Sequence, residues 1–507
     1  MAGVGVVRAD GLWRTDRIQP TSRFTLSRMS HPGSSLRTKL FYGFGSVAFG
    51  VKDNGFAFLL LIYYNQVVGL PERWVGLGIM IALVADALLD PIVGHLSDHL
   101  HSRWGRRHPF MYAAAVPVAV SYYLLWTPPA GLSPEWLFVY FVGVAILVRT
   151  FITFYEIPSS SLAAELTDHY DERTSLLSFR FFFGWWGGLT LAVLAFAVFL
   201  QPDAAHPVGV LNPLGYRLYG LTASLLMATA ILVSAVGTHS HIPRLRQPPP
   251  KRSLGLRGVL REARETLSNR SFLALFGAGF FSAMAAGLAA SLNIYFNTFF
   301  WELTSNEISL LVLANFVSAA AALAIAPTLS TRYSGKKPAA IRTAVAACIV
   351  GPLGIVLRLL GFFPANHSPF LMPLLLAGNT VVVTLIILSS ILVASMIADV
   401  VEDSELSTGR RSEGLFFAAN SLVQKSVSGV GIFGSTVLLN AIGFPHGAQP
   451  GAVDPSVVRN LGLVYVPTII LLYIGALAFL SAYRISRATH EANLEQLARG
   501  RAAAEKV

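Results

Sequence analysis

The sequence predicts an all-α membrane protein with twelve transmembrane helices in two pseudo-symmetric six-helix halves. Hydrophobic residues make up 54% of the 507 residues and charged residues only 13%, whereas soluble domains carry roughly 25% charged residues. The apolar residues are gathered in helix-length runs, which is typical of membrane spans. A basic segment divides these runs into two sets of six, and a similar basic turn recurs in each set.

The twelve predicted spans are separated by short polar segments. In the first half they are Leu40–Tyr64, Val75–Leu96, Phe110–Trp126, Trp136–Phe154, Phe181–Leu200 and Leu218–Val236. In the second half they are Phe272–Phe300, Ile308–Leu329, Ala339–Phe363, Phe370–Ile397, Gly414–Ile442 and Leu461–Ala482. We therefore expect one half over residues 39–237 and the other over residues 272–484.

Polar segments flank and join these halves. Residues 1–38 are rich in Arg, Ser and Pro, which predicts a disordered cytoplasmic tail, and residues 485–507 form a second tail. The linker, 238–271, contains three consecutive prolines that no helix interior accommodates. Its later part, Leu254–Leu267, has the composition of an amphipathic helix on the membrane surface.

The basic residues indicate the orientation, because cytoplasmic loops are enriched in Lys and Arg. The turns on one side carry Arg103, Arg106, Arg107, Lys336, Lys337, Arg410 and Arg411, whereas the loops of the other side are nearly free of basic residues. Both termini are therefore expected in the cytoplasm, and the Arg- and Ala-rich composition suggests a bacterial inner membrane. The net charge of +11 is explained by topology, so no nucleic-acid partner is expected.

Ionisable residues inside the spans are the candidate functional residues. Asp86 and Asp90 are four residues apart and share one helix face. An ionised Asp at bilayer depth costs roughly 2.5–3.5 kcal/mol, so such residues need a partner or a function. We favour cation binding over a pair of structural carboxylates. Thr153 supplies a further oxygen, although an isolated helix hydroxyl more often bonds to its own backbone.

Four more charges and a second acidic cluster complete the candidate set. Glu156 precedes Ile157-Pro158, where we expect the helix to kink or end. Lys52 and Asp53 fit a substrate site as well as a structural ion pair. Lys425 is the sole charge deep in its span and needs a counter-anion, either an acid or a substrate. The acidic residues Asp399, Glu402, Asp403 and Glu405 precede Arg410 and Arg411, which predicts either a salt-bridge latch or a solvated loop.

Four segments of the sequence, taken together, resemble the melibiose-type carriers of the glycoside–pentoside–hexuronide:cation symporter family, within the major facilitator superfamily. The resemblance covers about residues 39–485 and is carried by KLFYGFGSVAFGVKDN, DALLDPIVGHLSDHLHSRWGRRHPF, EIPSSSL and ADVVEDSELSTGRRSEGLFFAANSLVQK. It implies alternating access around a central cavity. It also implies cation binding, possible for Na⁺, by Asp86, Asp90 and Thr153. The positions that match the family's sugar site are Lys52, Asp53, Glu156, Arg180 and Lys425.

Three positions depart from the family pattern. Leu89 stands where an Asn helps to hold sodium in the melibiose carriers, which favours a proton over sodium here. Ser160 stands where a Trp lines the sugar site, and a second expected aromatic position falls near Ser390. Without these rings a galactoside is a poorer fit, and the pocket is expected to be wider or more polar.

The function expected from these observations is cation-coupled (H⁺ or Na⁺) symport of a glycoside or sugar-like solute by a monomer without a cofactor. The alternative is a carrier of lysophospholipids or other amphipathic anions with the same fold, in which Lys425 would meet the phosphate. No zinc-type His cluster, nucleophile elbow or phosphate-cradling loop is present in the sequence, so an enzyme is not expected. A sensor that binds without transporting remains an alternative. The basic turns and Asp399 are the expected gating residues.

Overall fold

The computed structural model describes residues 35–100, 102–166, 170–244, 268–332, 335–408 and 413–504, and these residues form helices and their connections. The six long helices of the first half are α1 Leu36–Val67, α2 Glu72–His99, α3 His108–Leu125, α4 Pro134–Leu166, α5 Tyr170–Leu194 and α6 Pro213–His239. Those of the second half are α7 Arg270–Tyr295, α8 Ser305–Arg332, α9 Lys336–Leu359, α10 Leu371–Thr408, α11 Glu413–Ala441 and α12 Pro455–Ser481. A further helix, α13 Arg487–Ala504, follows them.

The prediction of twelve spans is confirmed. Within the described ranges, eleven helices are long and apolar enough to cross a membrane. The twelfth helix, α3, has 18 residues, begins with His108-Pro109 and contains Pro117. It packs between α4 and α6 inside the bundle, so it completes the set. The helix around Pro158 does not end there, because α4 continues to Leu166.

Several helices contain or end in π-helical turns. In α1 they cover Gly55–Leu59 and Tyr63–Val67, and two further turns, Ala195–Phe199 and Phe296–Phe300, continue α5 and α7. Such turns insert a residue into the helix and are frequent at functional sites. The first one follows directly after Lys52 and Asp53, whose backbone it therefore helps to orient.

The two halves use the same helix pairings. In the first half α1 packs against α5 and α6, α2 against α4, and α3 against α4 and α6. Adding six to each number gives the pairings of the second half: α7 with α11 and α12, α8 with α10, and α9 with α10 and α12. Between the halves, α2 packs against α11 and α5 against α8, and these two pairings are also related by the shift of six. The chain is thus built from two structurally equivalent halves.

One face of the bundle is closed by polar contacts between the halves. We call the face where α1 begins and α12 ends the terminal face, and the opposite one the distal face. At the distal face, Tyr295 donates a hydrogen bond of 2.7 Å to the Asn65 side chain. Asn440 donates one of 2.7 Å to Glu72, whose other carboxylate oxygen lies 3.3 Å from the His446 ring. These contacts join α1 and α2 to α7, α11 and the loop after α11.

At the terminal face, two well-defined side-chain pairs stay within single halves. Arg107 donates a 2.6 Å hydrogen bond to Ser97 in the first half. Lys336 lies 2.5 Å from Asp399 in the second half. The inter-half contacts of Tyr295 and Asn440, in contrast, lie at the distal face.

The interface of α7 and α11 depends on two glycines that allow the helix backbones to touch. A Cβ at Gly287 would lie 2.1 Å from the carbonyl oxygen of Ser428, and one at Gly431 would lie 2.1 Å from that of Met284. Only glycine permits this approach, as is common where membrane helices pack closely. Gly434, one turn further along α11, has open space around it.

We predict opposite effects for alanine at the two α11 positions. Gly431→Ala forces a backbone shift and should lower stability by about 1–3 kcal/mol. Gly434→Ala should be neutral or stabilise by up to about 1 kcal/mol, because Ala favours the helix over Gly. The measurement is the thermal unfolding midpoint of each variant in detergent. Equal midpoints for the two variants would show that the α7–α11 contact is not tightly packed.

Candidate transport site

A charged cluster lies in the middle of the bundle, where three helices meet. α2 contributes Asp86 and Asp90, and α4 contributes Arg149 and Thr153. Each pair is spaced by four residues, so its members stand one turn apart on the same helix face. α11, from the other half, contributes Lys425.

Asp86 is completely enclosed and has partners on both oxygens. Its side chain is 1% exposed. Oδ1 accepts a 2.9 Å hydrogen bond from the Thr153 hydroxyl, and Oδ2 accepts one of 2.9 Å from Arg149 Nη1. Lys425 Nζ lies 3.2 Å from the same Oδ2. Two cations and a hydroxyl thus stabilise one buried carboxylate, as burial of a charge requires.

Within the cluster, Asp90 accepts the shortest hydrogen bond between the two halves. Its Oδ2 accepts a 2.6 Å hydrogen bond from Lys425 Nζ, and its Oδ1 lies 3.2 Å from the Thr153 hydroxyl. Asp90 and Lys425 are 18% and 21% exposed, so this part of the cluster is more accessible than Asp86. A charge-assisted bond of this length is among the stronger hydrogen bonds. Formation or loss of this bond therefore changes the strength of the contact between the two halves.

Thr153 stands between the two carboxylates with a single proton to donate. Its hydroxyl lies 2.9 Å from Asp86 and 3.2 Å from Asp90, and a hydroxyl has only one O–H donor. Thr153 thus faces the two carboxylates, as expected of a residue of the cation site, and the alternative bond to its own helix is not the one observed. The nearby Thr150 does bond to its own helix, with a 2.8 Å bond to the Ile146 carbonyl.

A second charged group lies on α1 and α4. Lys52 is buried, with Nζ 2.8 Å from Asp53 Oδ1 and 3.8 Å from Glu156 Oε2. Asp53 is exposed, and Glu156 Oε2 has no hydrogen-bond partner among the residues that the structure describes. The group therefore combines an ion pair with a buried carboxylate oxygen that accepts no hydrogen bond from the described residues.

Arg180 has a well-defined place between α4 and α5. It donates a 2.8 Å hydrogen bond to the Ser159 hydroxyl and one of 3.2 Å to the Glu156 carbonyl. Its guanidinium also lies over the Phe49 ring, 4.9 Å from the centroid. Because Arg180 contacts the Glu156 backbone, it holds this segment of α4 in place. Its contact with solute remains a prediction.

The expected gating residues have local partners. Asp399 is bound by Lys336 and lies 3.6 Å from His490 of α13, whose ring is also 3.0 Å from Glu402. Lys337 donates bonds of 2.7 Å to the carbonyls of Ser481 and Tyr483 at the end of α12. Such a bond satisfies carbonyls that a helix end leaves without partners.

The other gating residues are described only in part. Arg107 binds Ser97, and the Arg103 guanidinium lies over the Trp104 ring. Arg106 lies in the same turn and is engaged in an interaction. Arg410 and Arg411 lie outside the described residues, so their pairing with the acidic cluster remains a prediction.

The positions that depart from the family pattern do not add a ligand to the cluster. Leu89 is a half-buried apolar residue. Ser160 and Ser390 donate hydrogen bonds of 2.8 Å and 3.0 Å to carbonyls of their own helices. The contact between Arg149 and Asp86 was not predicted from the sequence. Arg149 stands four residues before Thr153, and this spacing repeats that of Asp86 and Asp90.

We predict that Thr153→Val destabilises the protein, whereas Thr150→Val has little effect. The first change leaves two carboxylates without their shared donor, and losing a hydrogen bond to a charged group costs about 1.5–3 kcal/mol. The second change removes only a bond to the residue's own helix. The comparison requires thermal unfolding of both variants in detergent. Thr153→Val unfolding at the temperature of Thr150→Val would contradict the proposed sharing of the hydroxyl.

Comparison with known proteins places this site in a family. The family described as MFS/sugar transport protein matches residues 41–487. An uncharacterised symporter of Synechocystis sp. is 27% identical over 91% of this chain and 96% of its own length. A putative glycoside/cation symporter of Escherichia coli is 23% identical over 92% and 96%. The sphingosine-1-phosphate transporter MFSD2B of mouse is 26% identical over 87% and 89%.

Solved structures agree on the fold. The inward-open xylose transporter XylE of E. coli superimposes with a TM-score of 0.61 at 15% identity, over 90% of this chain and 98% of that one. The two equivalent six-helix halves, the charged cluster between them and the match over residues 41–487 lead to the same conclusion. The chain belongs to the sugar transport protein family of the major facilitator superfamily, with symporters of the melibiose type among its relatives.

Proposed function

We propose that the protein is a secondary transporter that carries a glycoside or sugar-like solute together with a cation, by alternating access. The observation that carries this proposal is the bond of 2.6 Å between Lys425 of one half and Asp90 of the other, inside a cluster of intramembrane charges. Ionisable residues at this depth mark ion or substrate pathways. The match to a sugar transport family supports the solute class.

The cluster would couple the binding of an ion to the contact between the two halves. A cation bound at Asp90 competes with Lys425 for the same carboxylate oxygen. Release of Lys425 weakens the link between α2 and α11 and makes an ammonium group available to solute oxygens. Each ligand then changes the affinity for the other by the same factor, as linkage requires.

The solute is proposed to bind between this cluster and the group on α1. Glu156 Oε2 is buried in this structure and has no hydrogen-bond donor among the described residues, so it would accept one from a sugar hydroxyl once the site opens, and Asp53 is exposed. Arg180 would hold the Glu156 backbone in position. An amphipathic anion is the second candidate, because a released Lys425 ammonium would suit a phosphate and one relative carries sphingosine-1-phosphate.

The orientation proposed from the basic turns places the terminal face in the cytoplasm. Because the inter-half contacts of Asn65, Glu72 and Tyr295 close the distal face, this structure would correspond to a state closed toward the outside. The protein would work as a monomer in the inner membrane of a bacterium. Leu89 favours a proton over sodium as the coupling ion.

We expect uptake into right-side-out vesicles to depend on an imposed ion gradient and on Asp90. A panel of glycosides and a lysophospholipid are tested as solutes, with an H⁺ gradient, a Na⁺ gradient or neither. Asp90→Asn should abolish accumulation but retain exchange of labelled solute, because binding survives while coupling is lost. Gradient-independent accumulation, or full accumulation by Asp90→Asn, would reject symport. Transport of the lysophospholipid alone would select the second candidate.

We also expect Glu72→Gln to open the distal face. The change removes the charge that attracts His446, and so weakens a contact between the halves. A cysteine at Thr436, buried beside Gly76 in the α2–α11 interface, reports the opening in a Cys348→Ser background. Its rate of labelling by a membrane-impermeant maleimide should rise severalfold.

Glu307→Gln is the matched control for this experiment. Glu307 lies at the same face, but among the described residues its carboxylate binds only the backbone and side chain of Thr304 at the start of α8. Its loss should leave labelling unchanged. If both changes accelerated labelling alike, the effect would be attributed to general destabilisation rather than to the contact between the halves.

A further inference from the structure

Arg149 places a permanent positive charge inside the two-aspartate cluster. Its side chain is 5% exposed, and its Nη1 donates a 2.9 Å hydrogen bond to Asp86 Oδ2. The guanidinium carbon lies 4.4 Å from the centroid of the Phe56 ring, which contributes a cation–π contact. An Arg side chain stays charged at every physiological pH. Asp86 is therefore never without a cation while Arg149 keeps this position.

The contacts leave a metal ion few oxygens to use. The cluster offers the four carboxylate oxygens of Asp86 and Asp90 and the hydroxyl of Thr153. Arg149 donates to Oδ2 of Asp86, Lys425 donates to Oδ2 of Asp90, and the single proton of Thr153 lies within reach of Oδ1 of either aspartate. Leu89 adds no oxygen. Hard cations are held by several oxygen ligands at once, so Na⁺ at Asp86 would have to replace Arg149 rather than join it.

Arg149 and Lys425 differ in how easily they could be displaced. Arg149 is enclosed, stacked on Phe56 and anchored on the same half as Asp86. Lys425 is 21% exposed and comes from the opposite half, so it moves away whenever α2 and α11 separate. The opening of the transporter thus releases Lys425 but leaves Arg149 in place.

We infer that Arg149 is a tethered counter-cation that occupies the Asp86 side of the cluster and excludes Na⁺ from it, which makes Arg149 a determinant of ion selectivity. The inference rests on the proposed function only in taking this cluster as the ion site. The wild-type protein is then insensitive to Na⁺. Removal of the guanidinium creates a site for Na⁺ between Asp86, Asp90 and Thr153.

The test measures thermal unfolding of the purified protein in NaCl against choline chloride at equal ionic strength. Wild type and Arg149→Lys, which keeps the charge, should show the same midpoint in both salts. Arg149→Gln should gain a Na⁺-specific rise of about 3 °C or more at saturation. The double variant R149Q/D86N should lose this rise, because it lacks the carboxylate that binds the ion.

Direct binding of ²²Na⁺ keeps the inference testable if Arg149→Gln does not fold. Wild type and Arg149→Lys should bind no more ²²Na⁺ than the variant D86N/D90N. Saturable binding of one Na⁺ by wild type would overturn the inference, as would a folded Arg149→Gln with no response to Na⁺. Neither measurement needs a solute, so a failure to find transport would reject the proposed function and leave this result standing.

Discussion

Charge balance inside the bundle is the constraint on which the rest of the structure depends. Lipid offers no counter-charge, so each buried ion needs a protein partner. Asp86 and Asp90 obtain theirs from Arg149 on α4 and Lys425 on α11. Because one of these partners comes from the other half, the balance is complete only while α2 and α11 are in contact. The stability of the buried charges and the conformation of the transporter are therefore coupled.

The position of Thr153 between Asp86 and Asp90 is consistent with the same coupling. Its hydroxyl is shared by two carboxylates, 2.9 Å and 3.2 Å away, and cannot satisfy both at once. An additional positive charge at Asp90 would allow the hydroxyl to bind Asp86 without competition. The cluster is thus stable as observed but would also respond to a cation that bound at Asp90.

Much of this architecture could be predicted from the sequence. Long apolar runs are a strong signal, so the twelve spans were found. Three helices extend well beyond the predicted spans: α4 ends at Leu166 instead of Phe154, α5 begins at Tyr170 instead of Phe181, and α10 ends at Thr408 instead of Ile397. The helix through Pro158 was harder, because its neighbours can compensate for a missing backbone donor. In α4 the helix continues through Pro158 to Leu166. The predicted residues Asp86, Asp90, Thr153 and Lys425 do meet in one cluster.

What the sequence could not provide was the pairing within that cluster. Lys425 and Asp90 are 335 residues apart, and helix periodicity gives the face of a residue but not the helix that it meets. Nothing local to Arg149 in the sequence indicates Asp86 as its partner. Similarly, Asp399 lies close in sequence to Arg410 and Arg411, but its observed partners are Lys336 and His490.

The repeated helix pairings have a consequence for how such a chain can diversify. The two halves are equivalent as scaffolds, but they are unequal chemically. Asp86, Asp90, Arg149 and Thr153 all belong to the first half, and the second contributes Lys425 alone. Substitutions in the second half can therefore change how tightly the two halves close without altering the carboxylates of the cluster. Those in α2 and α4 change the chemistry itself, so duplication of one fold has separated the two properties onto different halves of the gene product.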